Sequence, residues 1–266
     1  MTRPVFAQQG AVLGVVHLPP LLGQASCPGV PALRAHALRE ARELVAGGVH
    51  ALLLENWRDD VPRPTVDPEA VACLAGLCRD VVAAVEVPVG VNVLPCDARA
   101  ALAIAVSCGL EFLQLDVFVN RVRTDYSYSK VPPFEFEPDL AAFARWRRDF
   151  GAEGVGVLAT VHPKHYTTLD GSTLEASTRR AIEHGADAVV VTGAATGSAP
   201  DLARVQRVCS AAGDVPVVVG SGVSLENAPT LLPPARAAIV GTAFKSADFA
   251  EVYPERVRAL VAALAP

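Results

Sequence analysis

The chain has 266 residues, a net charge of −5, 51% hydrophobic residues and only 19% charged ones. That length suits one large core, and the acidic balance excludes nucleic acid or an anionic membrane as a partner drawn in by the overall field. No apolar run approaches the ~18 residues of a membrane span, and Ala11–Leu22 lacks the basic start and cleavage site of a secretory leader, so membrane insertion is not expected.

Short β-branched apolar runs alternate with longer amphipathic ones. The pattern predicts a strand over Ala11–Val16, a helix over Pro31–Ala46, a strand over Ala51–Leu54 and a helix over Pro68–Ala84. It continues with a strand at Val87–Val93, a helix at Asp97–Ser107, a strand at Phe112–Val117 and a helix at Pro138–Phe150. Then come a strand at Gly154–Thr160, a helix at Gly171–His184, a strand at Ala188–Thr192 and a helix at Leu202–Ala212. A strand at Val215–Gly220, a short helix near Leu225–Leu232, a strand at Ala237–Gly241 and a helix at Tyr253–Leu264 complete the series. In the first helix Leu33, Ala37, Leu38, Ala41, Leu44 and Val45 mark the apolar stripe, and Arg34, Arg39, Glu40 and Glu43 are assigned to the opposite face. Strict βα alternation with eight strands predicts a single TIM-type (β/α)₈ barrel over residues 1–266, with a doubly wound open sheet as the alternative. The long irregular stretches Pro19–Gly29, Trp57–Val66 and Asn120–Glu137 each follow a strand's C-terminal end, where such barrels build their sites.

Polar residues gather at those same strand ends: His17, Glu55 with Asn56, Asn92, Gln114 with Asp116 and Asn120, Thr160 followed by His162, Lys164 and His165, Thr192, and Lys245. Polar groups buried at one barrel mouth must be solvated or paired, so their convergence reads as a ligand site. Glu55 and Asp116 are candidates for general base and acid, and with His17 they could instead hold a divalent cation, although no diagnostic metal motif is present. Lys164 could serve as a Schiff-base amine or pair with phosphate, and Asp125 with Lys130 could cover the mouth. Two glycine turns, Gly220-Ser221-Gly222 and Gly241-Thr242, follow consecutive terminal strands, where TIM barrels commonly hold phosphate; Thr192 and Thr196 add hydroxyls beside them. No redox cofactor signature is evident. The six cysteines carry no CxxC pair and read as buried free thiols in a reducing cytoplasm.

The segments GVVHLPPL (Gly14–Leu21), LLEN (Leu53–Asn56), GVNVL (Gly90–Leu94), ALAIA (Ala101–Ala105), Thr124-Asp125, Lys164-His165, TGAATGSAP (Thr192–Pro200) and GSGV (Gly220–Val223) resemble the BtpA family. That resemblance implies a ribulose-phosphate-binding-type barrel. The family's namesake is implicated in photosystem I biogenesis, and other members occur in bacteria without photosynthesis, some encoded among sugar-metabolism genes. One departure is the loop FVNRVRTDYSYSK after the fourth strand, bulkier and more basic than the small Gly-containing loop usual in the family. The combined expectation is an enzyme on a phosphorylated sugar or ribosyl-containing metabolite, acting as isomerase, epimerase or lyase. The alternatives are a glycosidic-bond-cleaving enzyme, a metal-dependent hydrolase, and a non-catalytic assembly factor with a retained phosphate pocket. Barrels of this type often self-associate, but no surface stripe here argues for a homo-oligomer.

Overall fold

The computed structural model describes residues 5–61, 63–124, 132–193 and 198–265. In chain order the elements are β1 (Ala11–His17), α1 (Val30–Ala46), β2 (Ala51–Glu55), α2 (Pro68–Val82), β3 (Val89–Asn92), α3 (Ala98–Cys108), β4 (Phe112–Leu115), β5 (Val122–Thr124), β6 (Glu135–Phe136) and α4 (Leu140–Asp149). They continue with β7 (Gly156–Val161), β8 (Tyr166–Thr168), α5 (Leu174–Glu183), β9 (Ala188–Val191), α6 (Leu202–Ala212), β10 (Val217–Val219), α7 (Ala228–Leu231), β11 (Ala237–Val240) and α8 (Pro254–Leu264). Eight of the strands close a parallel barrel in the order β1-β11-β10-β9-β7-β4-β3-β2, which is the expected TIM-type (β/α)₈ architecture. No helix among the described residues is long and apolar enough to cross a membrane.

Helix boundaries follow from local chemistry. Asp97, Asp139, Thr173 and Asp201 each cap a helix by accepting a hydrogen bond from an amide three residues on, satisfying a donor that has no intrahelical partner. Gly109 ends α3 in the left-handed region at φ 70, a conformation that L side chains adopt only at a cost.

The barrel interior explains how the mouth is positioned. Successive strand side chains alternate faces, so one parity points inward. Ala11, Leu13 and Val15 on β1, Ala51 and Leu53 on β2, Phe112 on β4 and Ala237 and Ile239 on β11 form an inner apolar cluster with Phe6. The Phe6 and Phe112 rings meet edge-on at 6.2 Å and stopper the strand-start end. Small residues opposite make room for them: a side chain at Gly90 would overlap the Phe112 ring. The other parity packs outward against the helices in the larger core, with Val12, Val16, Leu52, Leu54, Val91 and Leu113 among it.

Three expectations are corrected. The predicted loop Asn120–Glu137 contributes two short strands, and β8 a third, forming a small antiparallel sheet in the order β6-β5-β8. The basic residues of that loop turn outward: Arg123 is exposed on β5, and Arg121 pairs with Glu135 at 2.7 Å in solvent. The fourth strand ends at Leu115 rather than Val117, so Asp116 stands just past it. Finally, Glu40 is not on the solvent face of α1; it is fully buried, because it lies three residues after Ala37 and four before Leu44, on the apolar stripe itself.

Gly90→Ala is expected to cost about 1–3 kcal/mol through overpacking against Phe112, read as a lower urea midpoint, and Gly90→Ala with Phe112→Leu should recover part of the loss. A single variant of unchanged stability would contradict the close contact.

Candidate active site

The inward parity that is apolar at the strand starts turns polar at the strand ends. Register pairs His17 with Glu55, Glu55 with Asn92, and Asn92 with Gln114, so these side chains stand in one tier around the inside of the mouth. Asn92 Nδ2 donates to Glu55 Oε2 at 3.0 Å and to Asp116 Oδ1 at 3.4 Å, tying the two carboxylates to one amide. Gln114 Nε2 donates to the same Asp116 oxygen at 2.9 Å and to Thr160 Oγ1 at 3.4 Å. Gln114 Oε1 is buried with no partner among the described residues, an acceptor left for a donor from the cavity.

Burial, reinforced by the Asp116 charge, pushes the Glu55 carboxyl up to about 7, against the opposing pull of Lys164 and the Asn92 bond. Burial also raises Asp116, while Lys164, Gln114, Asn92 and Thr160 hold that rise back. Glu55 is therefore divided between its acid and base forms near neutral pH, as a proton-transferring carboxyl requires.

A second cluster surrounds His17. Lys245 Nζ lies 2.9 Å from His17 Nδ1 and 2.7 Å from Glu40 Oε2, and both the lysine and glutamate side chains are 0% exposed. Glu40 Oε2 also accepts from the His17 backbone amide at 3.1 Å, and His36 Nε2 reaches the His17 carbonyl at 3.0 Å. Trp57 and Phe249 flank the imidazole, with ring centroids 5.0 and 5.5 Å away. Burial, then the charges of Lys245, Lys164 and Arg58, hold the His17 pKa well below the usual range. Glu40 stays below the ordinary carboxylate range: burial opposes its charge, but bonds from His36 and Lys245 prevail.

A side chain at Gly241 would overlap the His17 ring, one at Gly222 (φ +68) the backbone of Ser198 and Ala199, and one at Gly220 the Val190 side chain. Protein atoms thus account for these glycines, and they bring loop backbone close together. Ser221 Oγ donates to the Ser198 carbonyl at 3.1 Å and accepts from Gly193 N at 3.3 Å, while Thr192 Oγ1 accepts from Lys164 N at 3.2 Å.

The mouth holds a cavity of about 1160 Å³. It is lined by His17, Glu55, Asp116, Lys164 and His165 together with Thr192, the Gly220–Gly222 turn and the Gly241-Thr242 turn. Asn92 is buried behind the two carboxylates and reaches the cavity through them. Asn56 is a brace: its amide donates to the Leu94 carbonyl at 3.0 Å and accepts from Leu94 N at 2.7 Å. His162 is turned to Ser177 Oγ at 3.1 Å, outside the lining. Asp125, Lys130 and Thr196 lie outside the described residues. No group of three or more His, Cys, Asp and Glu among the described residues is arranged to hold a metal ion. The residues that sequence reasoning passed over are Glu40, Trp57, Asp59, Tyr166 and Phe249; Lys245 was noted at a strand end, without its partners.

The chain matches the model of the BtpA family over residues 8–265. It is 34% identical over 265 residues to the photosystem I biogenesis protein BtpA of Synechocystis, covering 98% of this chain and 90% of that protein. Among solved structures, the (S)-3-O-geranylgeranylglyceryl phosphate synthase of Thermoplasma acidophilum, in complex with sn-glycerol-1-phosphate, is similar at TM-score 0.60 and 14% identity, with 97% of this chain and 94% of that chain covered. The phosphoribosyl anthranilate isomerase of Thermus thermophilus is similar at TM-score 0.56 and 16% identity, over 96% of this chain and 98% of that one. At these identities the two structures show the shared barrel.

A raised carboxyl pKa has a definite linkage sign: the stability it contributes is full below the unfolded value and is lost as pH rises through the folded value near 7. Glu55→Gln is therefore expected to stabilise the protein at pH 8, by on the order of 3 kcal/mol, and to leave stability nearly unchanged at pH 4. Equal effects at both pH values, measured by urea unfolding, would remove the perturbed carboxyl.

Proposed function

The chain belongs to the BtpA family, and from that membership and the geometry of the cavity we propose that it is an enzyme acting on a phosphorylated sugar or ribosyl-containing metabolite by acid/base chemistry. The observation that carries the reading is the Glu55–Asn92–Asp116 group: two buried carboxyls on one amide, with Glu55 brought to about 7. In this reading Glu55 exchanges a proton with substrate carbon or oxygen, Asp116 is its partner, and Lys164 supplies fixed positive charge on the cavity wall. The orphaned Gln114 Oε1 would accept from a substrate hydroxyl. The phosphate would sit against Gly220, Ser221, Gly222, Gly241 and Thr242, at the loops after the last two barrel strands, where TIM barrels commonly hold phosphate. Two proteins with this barrel carry phosphorylated compounds in their names, which agrees with that placement. The reaction classes that need only these groups are isomerisation, epimerisation and lyase cleavage. Six free cysteines agree with activity in a reducing cytoplasm.

Two other readings each have a supporting observation. Trp57 and Tyr166 line the same cavity, and aromatic walls suit the flat leaving group of a glycosidic cleavage. The name of the Synechocystis relative favours an assembly factor that retains a ligand pocket.

Thermal-shift screening of sugar phosphates and nucleotides, followed by product analysis, separates these readings. The enzyme reading expects a stabilising compound that is consumed, with Glu55→Gln and Asp116→Asn each lowering turnover by about 10²–10⁴ while binding is retained. Binding without consumption, unchanged in both variants, would leave the assembly reading. The pH profile of kcat/KM is expected to bend near pH 7, rising if Glu55 begins as base and falling if it begins as acid. A flat profile from pH 5 to 9 would take Glu55 out of the chemistry.

A further inference from the structure

We propose that Glu40 and Lys245 are positioning residues that lock His17 as a neutral imidazole with its proton on Nε2, making it a hydrogen-bond donor to a substrate oxygen that gains negative charge. The substrate half of this inference rests on the enzyme reading above; the lock itself does not.

An ammonium group can only donate. Lys245 Nζ is 2.9 Å from His17 Nδ1, so Nδ1 must present its lone pair, and the one proton of a neutral ring falls on Nε2. Burial lowers the Lys245 pKa, and Glu40, 2.7 Å away, opposes that shift, since removing either charge would strand the other in a fully buried place. Glu40 acts on the histidine twice, through Lys245 on the ring and through the backbone amide of His17 at 3.1 Å. The ring cannot easily turn: its Cε1 edge fills the space over Gly241, and Trp57 and Phe249 stand against it. Nε2 has no partner among the described residues, and His17 lines the cavity.

The charges around the ring agree. Lys245, Lys164, Arg58 and His36 all oppose a second proton on His17, and of the carboxyls facing this corner Glu40 is already paired while Glu55 is divided between its two forms. His17 is thereby removed from proton transfer, which falls to the carboxyls. A donor that never becomes a cation suits a carbonyl oxygen. A carboxylate removes the proton on the carbon beside the carbonyl, the C–H electron pair becomes the C=C bond, and the carbonyl π pair moves onto oxygen, where Nε2–H stabilises the enolate; return of the proton to carbon reverses the flow. The substrate class is accordingly a phosphorylated compound with a carbonyl, free or in a ring that opens.

Nitrogen-15 NMR of histidine-labelled protein, with His17 assigned by its disappearance in His17→Gln, tests the lock. The expected result is an unprotonated Nδ1 and a protonated Nε2 throughout pH 5 to 9. Titration of His17 inside that range, or a proton on Nδ1, would overturn the proposal. The double variant Glu40→Gln/Lys245→Met removes both charges together, so that it folds without a stranded ion, and is expected to let His17 titrate or populate the other tautomer; a spectrum identical to wild type would also overturn it. Dihydroxyacetone phosphate is expected to shift the Nε2 resonance, and glycerol 3-phosphate, with a hydroxyl in place of the carbonyl, is not. Equal shifts would sink the carbonyl assignment, whereas binding of neither compound, with the tautomer as stated, would sink the sugar-phosphate reading and leave the lock standing.

Discussion

A closed parallel barrel imposes a two-residue rhythm on every strand at once, and the positions of the strand-borne polar groups follow from it. Once Leu13, Leu53 and Phe112 are committed to the inner apolar cluster, the residues two and four further along those strands must also point inward. That places His17, Glu55 and Gln114 in the mouth whatever else the loops do, and Asp116 follows one residue past the end of β4. The aromatic plug of Phe6 and Phe112 fills the opposite end, so the polar tiers face an apolar floor on one side and the cavity on the other. Low polarizability beneath the carboxyls is what raises Glu55 and Asp116 together.

The mouth then divides into two electrostatic halves. On the β2–β4 side, two buried carboxyls are raised; both accept from the Asn92 amide, and Asp116 also accepts from Gln114. On the β1–β11 side, burial and a neighbouring cation depress a histidine, and that cation is answered by Glu40 from the helix layer. Lys164 influences both halves. A ligand placed between them meets groups able to move a proton on one side and groups able to withstand a developing negative charge on the other.

Much of this was legible in the residues themselves. The strand rhythm and the polar character of the strand ends pointed to His17, Glu55, Asn92, Asp116 and Lys164, and the terminal glycine turns marked the corner beside them. What could not be read had specific causes. Glu40 looks like a solvated helix residue until its place between Ala37 and Leu44 is weighed against its charge, and its cation comes from 205 residues away. The sheet β6-β5-β8 is built of strands of two and three residues, too short for any alternation to register. Asn56 and His162 have the chemistry of ligand contacts, yet backbone geometry turns the first to Leu94 and the second to Ser177. Gly220, Gly222 and Gly241 line the cavity, and they are also required by the protein atoms that fill the space their side chains would take, a packing role the sequence does not display.

The latch between Lys245, Glu40 and His17 spans the two extremes of the polypeptide, with sequence separations of 205 and 228 residues. A ribosome would deliver the β1–α1 unit long before Lys245, so early in synthesis Glu40 has His36 and the His17 amide as partners but not its cation. The seam between β1 and β11 joins the most widely separated strands of the barrel and is the one whose closure costs most in chain entropy. Half of the barrel made alone would carry His17 and both carboxyls without the ammonium that orients the imidazole. Assembly of the whole chain and readiness of the histidine are one event.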